Sequence, residues 1–381
     1  MRVAIATESF LPQINGVTNS VLRLAEYLAD RGDTALIVAP DDHQVPSSYA
    51  GFPVVTIPAV SLPMYQDVKL ALTLGFAMDK LLSDFAPDVL HAAAPFLIGS
   101  SALAATARLG IPSVAIYQTD VPSYATRYGL SLVKNLAWTR VRDLHSLADL
   151  TLAPSTAARD QLLAHGVPRV KLWGRGVDTA RFAPTKRDQA LHDRWAPAGE
   201  VVIGYVGRLA PEKQLADLAG LADLPQTALV IVGDGPSRHT LGDDLPSARF
   251  LGLLDGEELA TAVASFDLFV HPGELETYGQ AIQEAMASGL PVVAPAAGGP
   301  IDLVQPGRTG YLYPPGDLTA MTSAVARLVA DPAQRQRLGT AGRAWTDNRT
   351  WPVICDQLMA HYDEAIATAA HGHTRRHRFG D

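Results

Sequence analysis

What most constrains this chain is an alternation that runs through it twice, in which short apolar runs of strand composition are each followed by a stretch of helical composition. Arg2 to Ala6 has strand character, Glu8 to Thr18 is a loop holding Pro12, Asn15 and Gly16, and Ser20 to Arg31 sets Val21, Leu22, Ala25 and Leu28 at helical spacing. Gly32 stops that helix, and Thr34 to Ala39 is the next strand. A strand, helix, strand unit implies parallel pairing through its crossover. The pattern continues through Val54–Ile57, Val89–His91, Ser113–Tyr117 and Leu150–Ala153, which makes the N-terminal half a doubly wound α/β domain. A turn-rich connector, Lys171 to Pro184, then leads into a second series. That series comprises Val201–Val206, Ala228–Val232, Arg249–Leu251, Leu268–His271, Pro291–Ala294 and Gly310–Tyr313.

A chain of 381 residues is too long for most single cores, so two series mean two domains. The expected fold is α/β, two facing Rossmann-like domains with an interdomain cleft that suits a ligand. The boundaries expected are 1–172 and 198–350, with the last helical stretch, Trp351 to Ala369, reaching back to complete the first domain over about 355–370. His371 to Gly380 lies in a basic, His-rich tail, 371–381, expected to fray.

A formal net charge of -8 argues against nucleic acid as a partner. Cys355 is the one cysteine, so there is no internal disulfide and no thiolate metal site. The opening MRVAIATESF has an apolar run too short for a signal peptide, and the uncharged run Val89 to Ala107 is broken by Pro95 and Gly99, so a cytoplasmic location is expected. Ser131 to Asp149 reads as a helix carrying Lys134, Arg140 and Arg142 beside Leu132, Leu136, Trp138 and Leu144. Such a helix lies on an anionic membrane surface or packs its apolar stripe into its own domain; both readings stand.

The chemistry concentrates in His271 to Val304. Gly279 to Ser288 has helical composition and ends at Gly289, suited to the left-handed turn that closes a helix. The first N–H groups of that helix lack partners and carry partial positive charge, so a phosphate can sit there. Glu276 lies just before this end and Glu284 over a turn inside, where it can accept both hydroxyls of a ribose. The plain alternative is two unrelated glutamates, the first complementing the helix dipole. GRLAPEK, directly after the strand Val201–Val206, puts Arg208 and Lys213 at the mouth of the same domain. Two cations there match a departing nucleoside diphosphate; the alternative, surface charges paired with Glu212, is weakened by their position after a strand end. YQTDVPSYATRYG follows another strand, and its Asp120, Tyr124, Arg127 and Tyr128 could hold a polar acceptor or simply form a capped loop. His91, at a strand end, reads as a packing histidine. No G-x-G-x-x-G is present, which disfavours a dinucleotide cofactor.

In this order, NGV at Asn15–Val17, GRLAPEK, IVGDGP, FLG, ELETYGQAIQEAMASGLPVVAP and GGPIDLV followed by GRTGYLY resemble glycosyltransferase family 4, retaining enzymes of the GT-B type. YQTDVP and SFLPQINGV look most like the actinobacterial GDP-mannose-dependent α-mannosyltransferases of glycolipid and lipomannan synthesis. The resemblance implies GDP-mannose as donor, a lipid-linked acceptor, glucuronosyl diacylglycerol, at the membrane surface, and no tightly bound cofactor. A divalent metal is allowed and not required. It also implies that Arg208 and Lys213 grip the diphosphate, Glu284 the ribose and Glu276 the hexose, with backbone N–H groups of Tyr278, Gly279 and Gln280 on sugar and phosphate. Gly16 would approach the diphosphate and the backbone near Leu253 and Leu254 the base. Gln118, Asp120, Tyr124 and Arg127 fall to the acceptor side, with Asp120 a partner for its hydroxyl. Gln118 stands where many members have His, and an amide cannot exchange a proton near neutral pH. The same branch allows a UDP-sugar donor on diacylglycerol or another acceptor. A hydrolysing nucleotide-sugar 2-epimerase and a silent nucleotide-sugar sensor share the fold. The oligomeric state stays open.

Overall fold

The computed structural model describes residues 1–42, 44–62, 65–71, 75–118, 134–222 and 224–378. The described residues form two compact units, one of 1–118, 134–174 and 354–378, the other of 175–353.

The first unit is built on an eight-stranded sheet. Its strands are β1 (Arg2–Thr7), β2 (Thr34–Pro40), β3 (Ser48–Tyr49), β4 (Phe52–Ile57), β7 (Val89–Ala93), β8 (Ser113–Ile116), β9 (Leu150–Ala153) and β10 (Val170–Leu172). They lie in the order β10-β9-β8-β7-β1-β2-β4-β3, all parallel except the β3–β4 pair. A separate antiparallel pair, β5 (Ala59–Leu62) with β6 (Tyr65–Ala71), was not anticipated from composition. Val170–Leu172 also falls partly inside the stretch read as connector; it is an edge strand of three residues with too little apolar pattern to stand out.

The first helix begins at Gly16, four residues before the periodicity suggested. The reason is local: the Asn15 side-chain oxygen accepts from Val17 N at 2.9 Å and Thr18 N at 3.0 Å, capping a turn whose residues are not yet apolar. Residues 354–378 of the helix Trp351–Arg378 belong to this unit, where Ile354, Leu358, Tyr362 and Ala365 enter the core beside Val3, Ile5 and Val114. The backbone stays helical through Arg378, so 371–378 is not a frayed tail. His91 is a packing histidine: Tyr362 Oη lies 2.8 Å from its Nδ1, and burial holds its pKa down to about 3.

The chain turns away from β1 in both directions across this sheet, so its topological switch point lies between β1 and β7. There Glu8 Oε1 accepts from the N–H groups of Phe96 (2.8 Å), Leu97 (2.7 Å) and Gly99 (2.9 Å), filling the N-terminus of the helix Ile98–Leu109 with the protein's own carboxyl.

The second unit holds six parallel strands: β11 (Val201–Val206), β12 (Thr227–Val232), β13 (Arg249–Gly252), β14 (Leu268–Val270), β15 (Val292–Pro295) and β16 (Gly310–Tyr313). Their order is β13-β12-β11-β14-β15-β16, which puts the switch point between β11 and β14. Strands buried on both faces read as continuous apolar runs, which suits β11, β12, β14 and β15, whereas β13 and β16 are only partly buried.

Candidate functional site

In open parallel sheets the two loops that leave the switch point diverge and expose strand ends and helix N-termini to one crevice. The second unit brings its charged residues to those two loops. Arg208 and Lys213 follow β11; His271 and Glu276 follow β14; the helix Gln280–Ala287 starts just beyond, after Gly279 in the left-handed region at φ 102.

Glycines hold both loops in place. An added Cβ at Gly233 would lie 2.0 Å from the carbonyl oxygen of Gly207, so the GDG turn after β12 can press directly on the backbone that carries Arg208. Likewise a Cβ at Gly299 would lie 2.1 Å from the Tyr278 carbonyl oxygen, while Gly299 N donates to Glu276 O at 2.7 Å. The GGP turn thereby fixes the loop of Glu276.

Lys213 Nζ donates to Glu276 Oε2 at 2.7 Å, with both side chains 17% exposed. Burial would raise the Glu276 pKa, but the ammonium of Lys213, then His271 and Arg175, override it and hold the carboxyl down to about 2. Glu276 is therefore ionised at every physiological pH. His271 Nε2 lies 3.6 Å from the same oxygen, and burial pushes this imidazole down to about 4, so it is neutral. Arg208 pairs with the buried Glu212 at 2.9 Å. The surface-pair alternative thus describes Arg208 in part, although Glu212 also fixes where the guanidinium stands.

Glu284 differs from Glu276 in every respect. It accepts from Gln280 Nε2 at 3.2 Å and has no adjacent ammonium, so burial lifts its pKa to about 7, against weaker lowering by Gln280 and Arg181. Gln280 also donates to Gly176 O at 3.2 Å, which orients the amide that steadies Glu284. Tyr278 turns its ring into the core, its Oη 2.8 Å from Arg175 O, and leaves only its backbone toward the helix start. Leu254 is half-buried against the core, and Leu253 is 80% exposed.

The structure thus gathers Arg208, Lys213, Glu276, Tyr278, Gly279, Gln280 and Glu284 on one unit, with Leu254 after β13. Gly16 and Gln118 belong to the other unit: Gly16 opens its first helix, and Gln118 is buried just past β8. Asp120, Tyr124 and Arg127 lie outside the described residues. Sequence reasoning gave no role to His271, although its place at the carboxyl end of β14 was a usable signal. Among the described residues no three His, Cys, Asp or Glu side chains gather in a metal-binding group.

Known proteins bear on the chain as a whole. Residues 14–181 match the family model Glycosyltransferase Family 4, and residues 188–345 match Glycosyl transferases group 1. A Mycobacterium tuberculosis protein named GDP-mannose-dependent alpha-mannosyltransferase is 49% identical over 368 residues, 95% of this chain and 96% of its own. A sulfoquinovosyl transferase of Arabidopsis thaliana is 36% identical over 380 residues, 96% of this chain and 74% of its own. Among solved structures, Anabaena HepE in complex with UDP superposes with a TM-score of 0.77 at 21% identity, covering 96% of this chain and all of that one. That likeness shows the fold, two parallel-sheet α/β domains of the GT-B type. With both models matched and a relative near half identical along almost the whole length, the chain belongs to glycosyltransferase family 4.

Proposed function

We propose that the protein is a retaining transferase that moves mannose from GDP-mannose to a lipid-linked acceptor, glucuronosyl diacylglycerol, working at the inner face of a membrane. One observation carries the donor half of this reading: the ion pair of Lys213 and Glu276 at the switch point, before the open N-terminus of the helix Gln280–Ala287. A diphosphate drawn to Lys213, Arg208 and that N-terminus frees Glu276 from its ammonium. The ionised carboxylate then accepts from a hexose hydroxyl, and Glu284 from the ribose. The names of near relatives support mannose and guanine.

In the reaction the bond from mannose C1 to the β-phosphate oxygen breaks as a bond from C1 to the acceptor oxygen forms on the same face. The acceptor proton passes to the leaving phosphate, and GDP departs. Arg208 and Lys213 stabilise the charge that grows on the diphosphate, each worth roughly 10² to 10³ in rate. No protein nucleophile takes part. Gly16 is assigned to the donor diphosphate, and acceptor recognition to Gln118, Asp120, Tyr124 and Arg127.

Lys213→Ala and Glu276→Ala test the assignment. Both should abolish transfer of label from GDP-mannose while the folded protein persists by circular dichroism; activity near wild type in either sinks it. A second reading is a UDP-sugar placed on diacylglycerol; the sulfoquinovosyl transferase supports it only as a relative that transfers a sugar other than mannose. The epimerase alternative gains no support from the site or the relatives.

A further inference from the structure

Among the described residues Glu276 has one good partner, Lys213, and that partner is the group the diphosphate must claim. A carboxylate left alone in a site this enclosed is costly and free to swing away from the hexose. The question is what holds it once the ammonium has moved.

His271 is the neighbour built for that task. Its side chain is 4% exposed, and neither ring nitrogen has a hydrogen-bond partner among the described residues. Leaving a buried imidazole unsatisfied is costly, so such a group calls for a reason. The ring is fixed in place: it stacks on Tyr205 with centroids 6.2 Å apart and planes at 21°, and its backbone N–H donates to Val293 O at 2.9 Å. Gly273 lies beside the ring: an added Cβ there would stand 3.4 Å from Nε2, an ordinary contact. From this position Nε2 faces Glu276 Oε2 at 3.6 Å, just beyond a hydrogen bond. A neutral imidazole carries one N–H, and with the proton on Nε2 it can donate there.

We infer that His271 is a positioning residue that takes over Oε2 of Glu276 when Lys213 is drawn to the donor diphosphate. The inference rests on the donor reading above. In the resting protein Oε2 belongs to Lys213; with donor bound, a movement of under about 1 Å closes the gap to His271. The hand-over keeps the carboxylate aimed at the hexose through the transfer.

The test uses the full chain with His271→Leu, His271→Gln and His271→Asn. GDP, which lacks the hexose, should bind the Leu variant within about threefold of wild type. Its kcat for mannose transfer should fall about 10²-fold, the scale of a misplaced catalytic group. Gln reaches the Nε2 position with an amide N–H and should recover kcat to within about tenfold of wild type, whereas the shorter Asn should not. Wild-type kcat in the Leu variant overturns the inference. So does equal recovery by Gln and Asn, or parallel loss of GDP affinity and kcat without rescue, which mark a histidine that only packs. If Leu does not fold, the Gln and Asn pair still decides. Failure of the wild-type protein to use GDP-mannose refutes the donor reading instead, and the variants are then scored on whichever sugar nucleotide supports transfer.

Discussion

Replacing Glu284 by Gln should make the donor-free protein more stable and less able to bind nucleotide, in a pH window fixed by its surroundings. Burial raises this carboxyl from an ordinary 4.5 to about 7. A folded-state value above the unfolded one means the stabilisation is complete below pH 4.5 and is lost as pH rises through 7. The gap corresponds to about 3 kcal/mol, a figure for scale. Urea unfolding of wild type and Glu284→Gln should therefore agree near pH 4.5 and separate by pH 8, where the variant gains up to about 3 kcal/mol. Nucleotide affinity should move the other way. A ribose diol donates to a carboxylate in bonds of about 1.5–3 kcal/mol, and an amide keeps only part of that, so GDP should bind about 10- to 100-fold more weakly. Because the ionised form is the one the ribose selects, GDP binding to wild type near pH 7 should release about half a proton, read by calorimetry in buffers of different ionisation enthalpy, and the variant should release none from this site. Curves that stay parallel from pH 4.5 to 8, with unchanged GDP affinity, would refute the assignment of Glu284.

Two further outcomes follow from the same geometry. Gly233→Ala sets a Cβ 2.0 Å from the Gly207 carbonyl at a φ of +129, so it should cost on the order of 1–3 kcal/mol by denaturant unfolding and weaken GDP binding by displacing Arg208. Unchanged stability and affinity would show that the loop yields at no cost. On the helix Lys134–Leu147, Trp138 and Leu144 are buried while Arg140, Arg142 and Leu136 are exposed, so its apolar stripe packs at home only in part and these two arginines face outward. Neutralising Arg140 and Arg142 should lower binding to vesicles rich in anionic lipid, about 1 kcal/mol per charge, with no change on neutral vesicles; equal binding to both counts against a membrane role. No helix among the described residues is long and apolar enough to cross a membrane.

The central strands of both sheets were legible because burial on two faces leaves a plain apolar signature. Arg208, Lys213, Glu276 and Glu284 stood out in the sequence through the order of motifs that carry them, since charge at a strand end or in a helix also has ordinary uses. Hidden from the sequence was what depends on packing between distant segments. β5 with β6 is a separate antiparallel pair outside the parallel pattern, and the edge strand β10 is three residues with Lys171 and Leu172 exposed. Nothing near Glu8 tells that its carboxyl will cap a helix some 90 residues on. Glu276 and Glu284 look alike in sequence, yet one is held near 2 and the other near 7, because Lys213 stands beside the first alone. His271 gained its meaning only once β11 and β14 lay side by side.

The most direct measurement incubates the purified protein and membranes with labelled GDP-mannose, UDP-glucose and UDP-N-acetylglucosamine in turn, and follows label into the lipid fraction. The account predicts lipid-bound label from GDP-mannose alone, abolished by Glu276→Ala. Label from a UDP-sugar, or none in lipid from any donor, contradicts it.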